Sequence, residues 1–228
     1  MDYTERETEM ARRFYGYGRW DAPYWFIGPE QGKGPTEAQD NALRLHAWVR
    51  LDEPELCDCH QFHCANGEQH WHSENPRLQR TWRSLILLLM TFLGKPSDNE
   101  SLRAYQRDRW GMARVGETCV IELCAFAAKS YKVPIDRESF RRHRIETIRQ
   151  RMLEHKPDFV IMYGASDRKH WTEIAGGDLE PDKVEKHGST LFAFTSHPVA
   201  HGRKDSDWAK LGEILRRNYG ALERGRIL

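Results

Sequence analysis

The stretch that most constrains this chain is Tyr24-Trp25-Phe26-Ile27-Gly28-Pro29-Glu30-Gln31-Gly32-Lys33-Gly34. A short apolar run enters a glycine-rich loop, and helical spacing follows from Thr36. A run this short reads as a buried strand, a tight turn and a helix entry. Glycines in the turn let a ligand approach the backbone. The helix N-terminus behind it offers unpaired N–H groups to an anion or a polarised oxygen. Glu30 and Gln31 put a carboxylate and an amide at the strand's C-terminal tip, where open α/β sheets hold ligands. The same residues suit a plain structural turn, with Glu30 offsetting the dipole of the following helix.

A chain of 228 residues, 39% hydrophobic and 30% charged, can bury an α/β core and keep a solvated surface. Its net charge of +1 excludes a strong global field toward nucleic acid and leaves a local basic patch open. The longest apolar run, Leu85–Met90, falls short of the roughly 20 residues of a membrane helix, so no membrane partner is expected. The polar, acidic N-terminus does not read as a signal peptide. Five cysteines, an odd count, point to thiols in a reducing cytoplasm rather than a disulfide framework.

Thr4 and Glu7 have capping-box spacing, which predicts a first helix over 5–15, ended by Gly16 and Gly18. Strand one covers 23–28, and apolar spacing predicts a helix over 37–51. Asn75 and Pro76 restart a helix that Gly94 stops, and another follows over 97–110. Residues 118–124 form strand two, interrupted by Glu122; 125–134 is a loop, and 136–155 a basic amphipathic helix. Residues 157–163 form strand three, 167–175 a short helix, 190–195 strand four, and 207–219 the last helix. The polar stretch 176–187 shows little period. Short apolar strands alternating with helices predict a three-layer α/β/α domain with a central four-stranded parallel sheet. Right-handed crossovers then bring the strand tips to one edge. That edge collects Glu30 and Gln31, Glu122 and Cys124, Tyr163 and Ser166, and Ser196, His197 and His201. The whole chain, residues 1–228, reads as one domain.

In order and placement these tips resemble the uracil-DNA glycosylase superfamily. The matching residues are Gly28-Pro29-Glu30-Gln31-Gly32 after the first strand, Glu122 in the second, Gly164 after the third, and His197-Pro198-Val199-Ala200 after the fourth, with Gly202 and Arg203 behind. Glu30 stands where the family has Asp, Asn or Ala, and Glu122 where it has the asparagine that reads the base edge. An ionised carboxylate only accepts hydrogen bonds, so in that form Glu122 does not copy an amide. The resemblance implies a DNA glycosylase-like hydrolase that cleaves the N-glycosidic bond of a damaged or deaminated base. Its partner is single- or double-stranded DNA, the chain acts as a monomer, and no cofactor is required. It implies Glu30 and His197 as catalytic residues, Glu30 orienting or deprotonating a water and His197 donating to charge on the leaving base. It implies substrate contacts from Gly28, Gln31, Gly32, Glu122, Tyr163, Gly164, Ser196, Pro198, His201 and Arg203. Trp25, Tyr163 or Phe126 would stack on the base, while Arg203, Lys204 and the backbone of 32–34 would hold phosphates.

Each residue has a plainer reading beside this one. His197 suits a turn satisfied by backbone, Trp25 and Tyr163 suit the core, and Glu122 suits a salt bridge to Arg83 or Arg114. The basic helix over 136–155 suits a phosphate-tracking face or a solvated, salt-bridged one. The Cys/His-rich insertion at about 52–75 has three readings: a structural zinc site drawn from Cys57, Cys59, His63 and Cys64, a free polar loop, or a flap carrying His60 or His63 over the cleft. The rivals to a glycosylase are a non-catalytic nucleic-acid or nucleotide binder and a small-molecule enzyme using the same cleft.

Overall fold

The computed structural model describes residues 4–30, 37–127 and 137–226, with backbone alone for 37–38 and 221–226. Gln31, Gly32 and the glycine loop through residue 36 lie outside the described residues, as does most of the predicted 125–134 loop. The strands are β1 (Gly16–Gly18), β2 (Tyr24–Gly28), β3 (Leu56–Cys57), β4 (Thr118–Glu122), β5 (Phe159–Tyr163), β6 (Val184–His187) and β7 (Thr190–Thr195). The helices are α1 (Glu5–Arg13), α2 (Glu37–Arg50), α3 (Cys59–Ala65), α4 (Arg80–Leu93), α5 (Asn99–Asp108), α6 (Glu138–His155), α7 (Arg168–Ala175) and α8 (Asp205–Arg226).

The sheet is larger and more mixed than the four parallel strands expected. Its order is β3-β1-β4-β2-β5-β7-β6. The four expected strands, β4-β2-β5-β7, are parallel neighbours in its middle. β1 runs antiparallel to β4, and β6 antiparallel to β7. These additions escape a search for apolar runs because they are short or half-exposed edge pieces. β1 is Gly-Tyr-Gly, which reads as a helix stop, and β6 is the polar Val-Glu-Lys-His.

Alternation along the central strands divides the core between two faces. Phe26, Val120, Phe159, Ile161, Leu191 and Ala193 join a cluster with Trp82, Leu85, Leu88 and Leu89 of α4 and Trp208, Leu211 and Leu215 of α8. Trp25, Ile27, Ile121, Val160, Met162 and Phe194 join another with Ile145, Ile148 and Met152 of α6 and Trp171 and Ile174 of α7. Helices therefore cover both faces, as parallel strands require.

Local signals set several boundaries. The Thr4 Oγ1 accepts from the Glu7 N–H at 3.2 Å while Glu7 Oε2 accepts from the Thr4 N–H at 2.8 Å, the reciprocal cap its spacing predicts. Gly94 ends α4 in the left-handed conformation, φ 66°. The start of α4 differs from the expectation at Asn75-Pro76. Gln106, fully buried, accepts from the Gln79 N–H and donates to the carbonyls of Trp71 and Arg77. Those bonds keep 76–79 out of the helix, and the Gln79 side chain caps it by accepting from the Trp82 N–H.

Candidate active site at the strand tips

Three neighbouring positions on one face of the sheet define the site. Gly28 pairs with Glu122 across β2 and β4, and the same register brings Tyr163 of β5 to the other side of Gly28. Side chains at Glu122 and Tyr163 point to the same face because each follows the inward residues Val120 and Ile161 by two. Between them Gly28 has none. A Cβ there would fall on the Tyr163 hydroxyl and on Glu122 Oε2. The glycine is thus what lets the two flanking side chains meet, and Tyr163 Oη donates to Glu122 Oε1 at 3.3 Å. The connections out of β2 and β5 run to opposite sides of the sheet, so this row lies at the topological switch point, the usual ligand crevice of open α/β sheets.

Glu122 is buried, and its Oε2 has no hydrogen-bond partner among the described residues. Burial pushes its carboxyl up to about 8, with Glu30 adding repulsion, against the pull of Tyr163, Arg44 and Arg144. Among the described residues neither Arg83 nor Arg114 forms the expected salt bridge: Arg83 pairs with Asp205, and it is Arg144 that donates to Glu122, at the backbone carbonyl and not the carboxylate. At neutral pH Glu122 is a carboxylic acid, with one O–H to donate and a carbonyl oxygen to accept.

His197 follows β7 and stands edge-on to Tyr163, ring centroids 5.5 Å apart. Burial lowers its pKa, so the ring is neutral at pH 7. The Val199 N–H donates to Nδ1 at 3.3 Å, which leaves the proton on Nε2. Ser196 is half-buried and Pro198 buried beside it. Gly164, at φ 107°, turns the chain after β5 in a conformation that favours glycine; its N–H donates to the Thr195 carbonyl and its own carbonyl accepts from Trp171 Nε1.

Glu30 is bound by Arg137, Nε to Oε2 2.7 Å, with both side chains under a tenth exposed. Arg137 was legible only as one of a row of arginines. The row itself is not a phosphate-tracking face, because its members turn in different directions. Arg141 approaches Asp167 at 3.9 Å and lies 3.0 Å from His170 Nε2; Arg144 is fully buried over the Tyr15 ring; Arg151 pairs with Glu55 and Glu154.

Other expected contacts are corrected. Arg203 is committed to an ion pair with Asp182 and lies over Trp208, so it is drawn away from a phosphate role. His201 sits exposed in a turn beyond the tip residues. Trp25 is fully buried on the opposite face, its Nε1 donating to Ala22, and Phe126 is buried against Ala11 and Cys124. Neither is an open stacking platform.

The insertion is folded, not a free loop, and its donors regroup. Cys59 and His63 share one face of α3, and His72 arrives from a 3-10 helix over 69–72. Their donor atoms all lie within 4.8 Å of one another, and all three residues are buried. Cys64 is exposed and Cys57 belongs to β3, so neither joins them. Burial pushes the Cys59 thiol up and both imidazoles down, His72 to about 4. The Cys59 N–H donates to Gly111, whose own N–H donates to Thr118 at the start of β4. The group is therefore anchored at the sheet end opposite Glu122, which does not suit a flap over the cleft.

The chain matches no protein-family model, and no curated protein is significantly similar to it.

Proposed function

We propose that this chain is a DNA glycosylase-like hydrolase that grips a nucleobase at the tips of β2, β4, β5 and β7. The observation that carries this reading is Glu122. Protonated, with Oε2 uncommitted, it offers the donor–acceptor pair of a side-chain amide and so complements a base edge that has a ring N–H beside a carbonyl. The departure from asparagine at this position thereby loses its force.

In the reaction the N-glycosidic bond breaks and its electron pair leaves with the base. The Nε2–H of His197 donates to the base oxygen where negative charge gathers. Water adds to the sugar carbon and gives a proton to Glu30, whose carboxylate Arg137 holds in place. The partner is DNA, single- or double-stranded, and the chain acts as a monomer. Five free cysteines suit a reducing cytoplasm. Among the described residues no helix is long and apolar enough to cross a membrane.

The test is release of free base from uracil-, hypoxanthine- and xanthine-containing single and double strands. Release from any one that disappears in Glu30→Gln supports the reading; a folded protein that releases none overturns it. The tight Glu30–Arg137 pair favours a second reading, a non-catalytic nucleotide or nucleic-acid binder on the same cleft. A binder keeps its affinity in Glu30→Gln and cleaves nothing in either form.

A further inference from the structure

We propose that Cys59, His63 and His72 form a zinc site that clamps the insertion onto the body of the domain. Cys59 Sγ lies 3.5 Å from His63 Nδ1, which lies 3.0 Å from His72 Nε2. Zinc bonds of ordinary length at tetrahedral angles separate sulfur and nitrogen donors by about 3.6 Å and two nitrogens by about 3.3 Å. Two of the three separations thus already stand close to the spacing that one ion requires, and the donor atoms of all three residues lie within 4.8 Å of one another.

The surroundings fit the same assignment. With Nδ1 of His63 on the metal, its Nε2–H faces Glu68, whose Oε2 is 3.9 Å away and is held by Asn66 Nδ2 at 2.8 Å. A carboxylate behind a ligating imidazole fixes the ring and raises its basicity. Asp58 sets the Cys59 end: its Oδ1 accepts from the N–H groups of His60 and Gln61, and its Oδ2 from Ala113. A thiolate with two imidazoles favours zinc over the hard cations, which prefer oxygen. Three protein donors leave a fourth position. His60, whose ring centroid is 5.0 Å from that of His72, is on hand to fill it by rotating its side chain.

The role is structural. The ligands come from α3 and from the 3-10 helix, whose rings pack on Trp82 of α4 and, for His63, on Tyr17 of β1. One ion therefore ties two short helices, too brief to be stable alone, to the sheet edge and to α4.

The experiment measures the metal content of the full chain purified from zinc-supplemented cells, then its absorption after exchange with cobalt(II). About one zinc per chain and the visible bands of tetrahedral cobalt with sulfur-to-metal charge transfer are expected. Cys59→Ser should lose the charge-transfer band, His72→Ala should lose the metal, and Cys57→Ser and Cys64→Ser should keep both. Stripping the zinc should lower the melting temperature by several degrees. Less than about a tenth of an equivalent of zinc, with no tetrahedral cobalt spectrum, overturns the assignment. So does metal that survives in Cys59→Ser and vanishes in Cys64→Ser. The wild-type measurements decide alone should a ligand variant fail to fold.

Discussion

The Tyr163 hydroxyl donates to Glu122 Oε1 over the bare backbone of Gly28, leaving Oε2 of the same carboxyl without a partner among the described residues. The carboxyl is neutral because it is buried, with Glu30 adding like charge. A folded-state pKa of about 8 lies above the unfolded value near 4.5. Between those limits the folded chain binds the extra proton, so stability falls as pH rises and levels off above the upper one. The slope reaches about 1.4 kcal/mol per pH unit in mid-range. Urea unfolding from pH 5 to 9 should show this loss in the wild type and a flatter profile in Glu122→Gln. Equal slopes in the two proteins would place the proton elsewhere.

The catalytic reading makes a separate forecast for His197. Its neutral Nε2–H donor should be worth about 10²- to 10³-fold in the bond-breaking step. Single-turnover base release by His197→Ala should drop by that factor while DNA affinity changes little. Burial also lowers the imidazole pKa. The His197 contribution should therefore persist as pH falls past about 6.5, where an ordinary imidazole takes up its proton. A ring that NMR titration finds charged at pH 6.5 would contradict the neutral-donor role.

Arg137 and Glu30 form a buried pair, and breaking such a pair leaves a charge with no solvent. Arg137→Ala should destabilise the fold by about 3–5 kcal/mol. The double variant Arg137→Met/Glu30→Leu should be closer to the wild type than the single one, since neither charge remains to be desolvated. Chemical denaturation of the three proteins measures the difference, and additive losses would mean that the two groups do not interact.

Gln106 offers a control far from the site. Its side chain satisfies the Gln79 N–H and the carbonyls of Trp71 and Arg77. Gln106→Ala should cost about 1–3 kcal/mol, because three part-buried backbone groups lose their partner. Amide exchange should show the loss concentrated before α4, and base release per folded molecule should stay unchanged.

Much of the frame was legible along the chain, because the signals that set it are local. Thr190–Thr195 needs only its own apolar run to read as a strand, Thr4 and Glu7 need only each other, and Gly94 stops α4 by its own φ. The same locality hid β1 and β6, whose residues become strands only because an edge of the sheet offers them partners. It hid the late start of α4, which Gln106 imposes from 27 residues away along the chain.

The site divides the same way. Sequence order alone put Glu30, Glu122, Tyr163 and His197 at strand tips, since right-handed crossovers leave parallel strands ending on one side. Protonation, tautomer and ion pairing belong to the tertiary structure. Burial makes Glu122 an acid that can donate, a backbone N–H chooses the proton-bearing nitrogen of His197, and Arg137 claims Glu30 from 107 residues away. Likewise the sequence by itself determined that the insertion holds soft metal donors. Only folding replaced Cys57 and Cys64 with His72, because donor atoms are selected by distance through space and by removal from water, and neither quantity is carried by spacing along the chain.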